Sequence, residues 1–247
     1  MTEKHRKIVS AKLFVGFCAV ELMILVLLKL APAFCPFPLA EPTFMFSAIL
    51  LNALFMLFLV SGVKGSGKKT AVLGIPLAVF TTLLADCFLV ALHSLSNFEF
   101  VSFISPLTAN MIGYFIFGMV QVEYACYLGL TKRRVIIRVG FYLAFIVAIA
   151  AAGLLTLDRF IACLSMSQLI LNTAYAWIEH GKKRSLASLL MAVGITLFLG
   201  CDLCIMIRIL APAEGFIYSA ICFMVWVFYI PSQVVLTSSY IADRSKA

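Results

Sequence analysis

No feature constrains this chain more than the recurrence of apolar runs long enough to cross a bilayer. A helix needs about 20 predominantly apolar residues to span the hydrocarbon core. Eight segments qualify, near 13–31, 44–63, 71–93, 105–130, 137–155, 160–178, 186–208 and 215–240. Pro76, Gly113, Gly194 and Pro231 fall inside them, which a membrane helix tolerates because neighbouring helices re-satisfy the freed backbone groups. Only 12% of the 247 residues are charged and 64% are hydrophobic, so one soluble core could not bury the apolar surface. The expected fold is an all-α integral membrane protein of eight transmembrane helices. The first run, after Lys12, leads into further spans without an Ala-x-Ala-like cleavage site and reads as a retained helix.

Charge sets the topology. Lys4, Arg6, Lys7 and Lys12 precede the first span; Lys64, Lys68 and Lys69 follow the second; Lys132, Arg133, Arg134 and Arg138 follow the fourth. Lys182, Lys183 and Arg184 follow the sixth, and Arg244 and Lys246 the eighth. Sixteen of the nineteen Lys and Arg therefore share one side, leaving Lys29, Arg159 and Arg208 on the other. The positive-inside rule places both termini in the cytoplasm, in the cytoplasmic membrane if the source is bacterial. The net charge of +8 is thus a topology signal and not a nucleic-acid footprint.

Several chemistries are excluded. Of the eight cysteines only Cys35 lies clearly in a loop, so no disulfide framework is implied. Cys201 and Cys204 form a CxxC without the further ligands that zinc needs, and read as packing residues. His5, His93 and His180 are scattered, so no metal or other cofactor is expected. The chain has no Gly-x-Ser-x-Gly elbow, and Gly65-Ser-Gly-Lys-Lys69 lacks the spacing of a phosphate loop.

The functional signal is two carboxylates inside apolar runs, Asp86 in Leu-Leu-Ala-Asp and Asp202 in Phe-Leu-Gly-Cys-Asp. An ionisable group there costs about 2.5–3.5 kcal/mol on insertion scales, so each should face the protein interior and have a partner. Each belongs to a repeating order. Asn52, Asp86 and Gln121 occur in spans two, three and four, and Asn172, Asp202 and Gln233 in spans six, seven and eight. That order predicts two parallel four-helix repeats, near 8–131 and 135–243, sharing a polar site between them. Asn52, Asp86, Asn172 and Asp202 fall at similar depth when counted from the span boundaries. Gln121 with Tyr124, and Tyr229 with Gln233, share helix faces and fall deeper; either they floor a pocket or the boundaries slip by a turn. Glu123 is expected to snorkel or pair with a cation, and Glu21 stays an open candidate.

These residues resemble a family, the YhhN-type lysoplasmalogenases. Leu-Leu-Ala-Asp86 is similar to the family's Leu-(Gly/Ala)-Asp motif in the third span. Gly113-Tyr-Phe through Gln121-Val-Glu-Tyr124 is similar to its next-helix pattern, with Gln121 where His is usual. Phe198-Leu-Gly-Cys-Asp202 resembles its second Asp motif, with Cys201 where Ser is usual, and Tyr229-Ile-Pro-Ser-Gln233 its closing Tyr-x-x-x-Gln. The family's Lys-Pro motif is missing from span two. The resemblance implies hydrolysis of the vinyl ether bond of a membrane lysophospholipid, releasing a fatty aldehyde, with Asp86 and Asp202 as the acid/base pair in an order left open. Asn52, Gln121, Tyr124, Asn172, Tyr229 and Gln233 would bind substrate. A proton- or cation-coupled transporter, or a non-catalytic lipid-binding protein, is the competing expectation.

Overall fold

The structure, a computed structural model, describes residues 3–34, 40–61, 74–92, 105–210 and 215–244. Cys35, the stretch Lys64–Lys69, His93 and Lys246 lie outside the described residues. Those described are helical apart from short turns, and form eight helices: α1 (Glu3–Phe34), α2 (Ala40–Ser61), α3 (Gly74–Asp86, continued by a π-helical turn over Cys87–Leu92), α4 (Pro106–Tyr127), α5 (Lys132–Ala151), α6 (Leu157–Lys183), α7 (Leu186–Leu210) and α8 (Phe216–Arg244). Local chemistry sets the starts. Ser105 accepts from the Thr108 amide with Pro106 at the first turn of α4, and Thr131 accepts from the Arg134 amide at α5.

Five segments are long and apolar enough to cross a membrane: Thr43–Val60, Lys132–Ala151, Leu157–Lys183, Leu186–Arg208 and Phe216–Asp243, with a shorter apolar helix at Gly74–Val90. This is a helical, multi-pass membrane architecture. α4 is not among the five because Asn110, Gln121 and Glu123 interrupt it.

Helix neighbours close a ring in the order α2, α3, α4, α6, α7, α8 and back to α2; α1 lies on α2 and α8, and α5 on α6. The ring interior is one apolar core that includes Met56, Val79, Val120, Leu169, Ile195 and Leu236. Two glycines permit its closest approaches. A Cβ on Gly113 would meet Leu89 Cγ at 2.5 Å and the Ala85 carbonyl at 3.3 Å, and one on Gly194 would meet Leu236 side-chain atoms at 2.8 Å. α3 thus packs tightly on α4 beside Asp86, and α7 on α8 near Gln233.

The outward faces are apolar, as lipid-facing surfaces are. On α5 the exposed residues include Ile136, Val139, Leu143 and Val147, and Arg138 is the one buried position. Arg138 is therefore not the solvated topology charge expected from its place in a basic cluster.

Candidate functional site

Asp86 is the last residue of α3 before the helix widens into the π-helical turn, a distortion that often accompanies functional sites. Its side chain is buried, and Oδ2 accepts a hydrogen bond from the Tyr229 hydroxyl of α8. Tyr229 is buried in turn, its ring 5.6 Å from Phe198 and 5.5 Å from Trp226. Phe198 lies one turn before Asp202 on α7 and meets Phe117 of α4 edge-on at 5.1 Å. This aromatic chain ties α4, α7 and α8 around the acids.

Asp202 is half-buried and lies within electrostatic reach of Asp86. Cys201 lies within reach of both carboxyls, and Tyr114 within reach of Asp202, Asp158 and Arg208. Among the described residues no hydrogen-bond donor meets Asp202. The two acids of the sequence motifs lie within electrostatic reach of each other, with a phenol on one of them.

A turn along α8 from Tyr229 lies a second polar layer. Asn52 donates to Gln233 Oε1 at 3.2 Å and accepts from the Thr237 hydroxyl at 2.8 Å. Across the ring, Asn172 donates to Gln121 Oε1 at 3.1 Å and to the Gln121 carbonyl at 2.8 Å, and accepts from Arg138 Nη2 at 2.8 Å. Arg138 also donates to Gln168 Oε1 at 2.9 Å, and its guanidinium sits 5.2 Å from the Tyr175 ring centre. The pairing corrects the expected depths. Each Asn lies level with a Gln, and Asp86 lies level with Tyr229 instead of with the Asn residues.

In both amide pairs the Gln oxygen is taken by an Asn, which leaves the Nε2 amides of Gln121 and Gln233 without a partner. The Tyr124 hydroxyl, within electrostatic reach of Tyr229, has none either. Buried donors without acceptors are uncommon in folded proteins, so these three, with Arg138 Nε, are positions where a bound oxygen-rich group or water would be held. Glu123 Oε1 accepts from the Thr81 hydroxyl at 2.9 Å, a neutral partner where snorkelling or a cation was expected. Glu21 is buried with both carboxyl oxygens unpartnered.

No protein-family model, curated protein or solved structure matches this chain.

Residues of the polar layers beyond those expected are Arg138, Gln168 and Thr237. Arg138 did carry a signal: it lies beyond its basic neighbours, within the apolar stretch Val135-Ile-Ile-Arg-Val. Among the described residues no cluster of three or more His, Cys, Asp or Glu could hold a metal. An apolar groove lined by Phe145, Ile149, Ala162, Cys163, Met166 and Met206 opens on α5, α6 and α7, and Met206 follows Asp202 by one turn of α7. Asp202 is not among the groove's lining residues.

Proposed function

We propose that this protein is an eight-span membrane hydrolase of the lysoplasmalogenase kind, cleaving the vinyl ether of a lysophospholipid by two-carboxyl acid/base chemistry. Both termini lie in the cytoplasm, and α1–α4 and α5–α8 are parallel repeats. The observation that carries this reading is the placement of Asp86 on α3 and Asp202 on α7 within electrostatic reach of each other. The chemistry needs that pair and no metal. One carboxyl protonates the outer alkene carbon, and the C=C electron pair forms the new C–H bond. The resulting oxocarbenium ion is attacked by water, whose proton passes to the other carboxylate. The hemiacetal then loses its hydroxyl proton to the departing glycerol oxygen, giving aldehyde and glycerophospho-alcohol, as in the paired-carboxyl logic of glycosidases. The free amides of Gln121 and Gln233 and the Tyr124 hydroxyl suit oxygen atoms of the glycerophosphate backbone.

The test is aldehyde release from lysoplasmalogen by the purified full chain, with acyl lysolipid as control. Asp86→Asn and Asp202→Asn are expected to lose activity by at least about 100-fold, the usual share of general acid–base catalysis, while remaining folded. Wild-type-like turnover in either variant refutes the assignment.

A proton-coupled transporter is the second reading, favoured by one observation. Asn52 of the first half bonds Gln233 of the second, and Asn172 of the second bonds Gln121 of the first. Such crossed pairing suits transporters built from repeats around a shared midplane site. Proton flux in proteoliposomes, with no aldehyde release, would favour it.

A further inference from the structure

The two acids occupy equivalent places in the proposed repeats, yet their surroundings differ at one position. Tyr229 lies four residues before Gln233, and the residue four before Gln121 is Phe117. Both are buried and both pack on Phe198. One end of the pair thus offers a phenol and the other a phenyl ring. The phenol is used: its hydroxyl donates to Asp86. Nothing comparable reaches Asp202, which no described donor meets.

A hydrogen bond donated to a carboxylate favours its charged form, and two carboxyls in one poorly solvated site do not both ionise. We infer that Tyr229 makes the acids unequal: it is a positioning residue that holds Asp86 as the anion, and Asp202 carries the proton the pair shares.

The titratable neighbours do not reverse this order. Around Asp86 they are Tyr229 from α8, Asp202 and Cys201 from α7, and Cys87 beside it. Around Asp202 they are Asp86 from α3, Tyr114 from α4 and Cys201. Arg208 reaches Tyr114 and Cys201. The one hydrogen bond among these groups falls on Asp86.

As a statement about catalysis the inference rests on the hydrolase reading, and it assigns the roles. The Asp202 O–H proton goes to the outer alkene carbon as the C=C pair forms the C–H bond, leaving Asp202 as carboxylate. Asp86 faces the oxocarbenium ion and takes the proton released by the attacking water, and that proton returns to Asp202 after the products leave. As a statement about where the proton resides, it does not need that reading.

Infrared difference spectroscopy on the full chain in lipid nanodiscs tests it without turnover, by the carbonyl stretch of protonated carboxyl groups. Wild type is compared with Asp202→Asn, Asp86→Asn and Tyr229→Phe, so that contributions from Glu21 and Glu123 cancel. The expected result is a protonated-carboxyl band at neutral pH that is lost in Asp202→Asn and kept in Asp86→Asn. In Tyr229→Phe the band should divide between two environments as the acids become alike. A band lost in Asp86→Asn and kept in Asp202→Asn overturns the inference, as does a wild-type spectrum in which Asp202→Asn removes nothing. An unchanged band in Tyr229→Phe overturns the role of the phenol. Aldehyde release is measured on the same wild-type sample. If none appears while the band behaves as expected, the hydrolase reading falls and the proton stays assigned to Asp202.

Discussion

Asn52 and Asn172 stand at equivalent places in the two proposed repeats, but replacing each with Ala should destabilise the protein unequally. Asn172→Ala removes two neutral hydrogen bonds to Gln121 and one donated by the Arg138 guanidinium. Interhelical hydrogen bonds in membranes average roughly 0.6 kcal/mol, and those to charged groups contribute about 1.5–3 kcal/mol. The loss is about 3–4 kcal/mol. Asn52→Ala removes two neutral bonds, to Gln233 and from Thr237, for a loss of about 1.2 kcal/mol on the same scale. The void left by the side chain and the two neutral bonds cancel, so the difference is the guanidinium bond, about 1.5–3 kcal/mol. Steric-trapping measurements of unfolding in lipid bicelles read it directly. Equal destabilisation, or a larger effect at Asn52, would refute the reasoning.

The same network makes a sharper prediction about coupling. Arg138→Met alone strands the side-chain oxygens of Asn172 and Gln168, and a buried acceptor without a donor costs about 1–3 kcal/mol. Combining it with Asn172→Leu removes one stranded group together with its partner, which is far less costly than removing either alone. The double-mutant cycle should show at least about 1 kcal/mol of coupling, and additive effects would mean that the guanidinium bond contributes nothing.

Two further pairs of variants probe packing and the basic end of the bundle. Gly113→Ala should cost about 1–3 kcal/mol by overpacking against Leu89 and the Ala85 carbonyl, whereas Gly140→Ala, whose Cβ meets nothing within 4 Å, should be neutral or stabilising; equal effects in thermal unfolding would contradict the close approach of α3 and α4. Arg134 donates to the Leu128 and Gly129 carbonyls as well as to Glu179, while the exposed Lys183 meets Glu179 only at 3.7 Å. Arg134→Ala should therefore lower the melting temperature measurably, and Lys183→Ala should stay within about 0.5 kcal/mol of wild type.

The helices were legible because a membrane span announces itself by length. The run expected at 186–208 is Leu186–Leu210 in the structure, and that at 160–178 is Leu157–Lys183. The polar site was legible as a set, since Asn, Asp, Gln and Tyr are conspicuous in apolar runs. Its pairing was not. Depth counted from span ends put Asn52 beside Asp86, but helices differ in tilt and vertical offset, and Asn52 meets Gln233, a contact across 181 positions. Arg138 carried only a weak signal, its apolar flanks: after Lys132, Arg133 and Arg134 it reads as one more loop charge, and the packing of α5 on α6 turns it inward. The Tyr229 bond to Asp86 follows from three-dimensional closure of α8 onto α3, which no local pattern encodes.

The crossed amide pairs bear on how such a site can evolve. Under the proposed duplication, either half alone would leave its Asn and its Gln unpaired in hydrocarbon, where unsatisfied polar groups are costly. The halves must therefore fold as one unit, and the four amides are fixed by stability whatever the protein does. Divergence is free outside that scaffold, and two of the differences between the proposed halves change the electrostatics beside it. The pairs Phe17–Phe55 and Ile24–Ala48 set the register of α1 on α2 and put Glu21 level with Asn52, as Arg138 is level with Asn172 on the other side. Likewise Tyr229 answers to Phe117. An acid against an arginine, and a phenol against a phenyl ring, are large electrostatic differences laid on the proposed symmetric frame. A purely structural polar core has no need of them. A site whose two carboxyls must take opposite parts in a proton transfer requires such an imbalance.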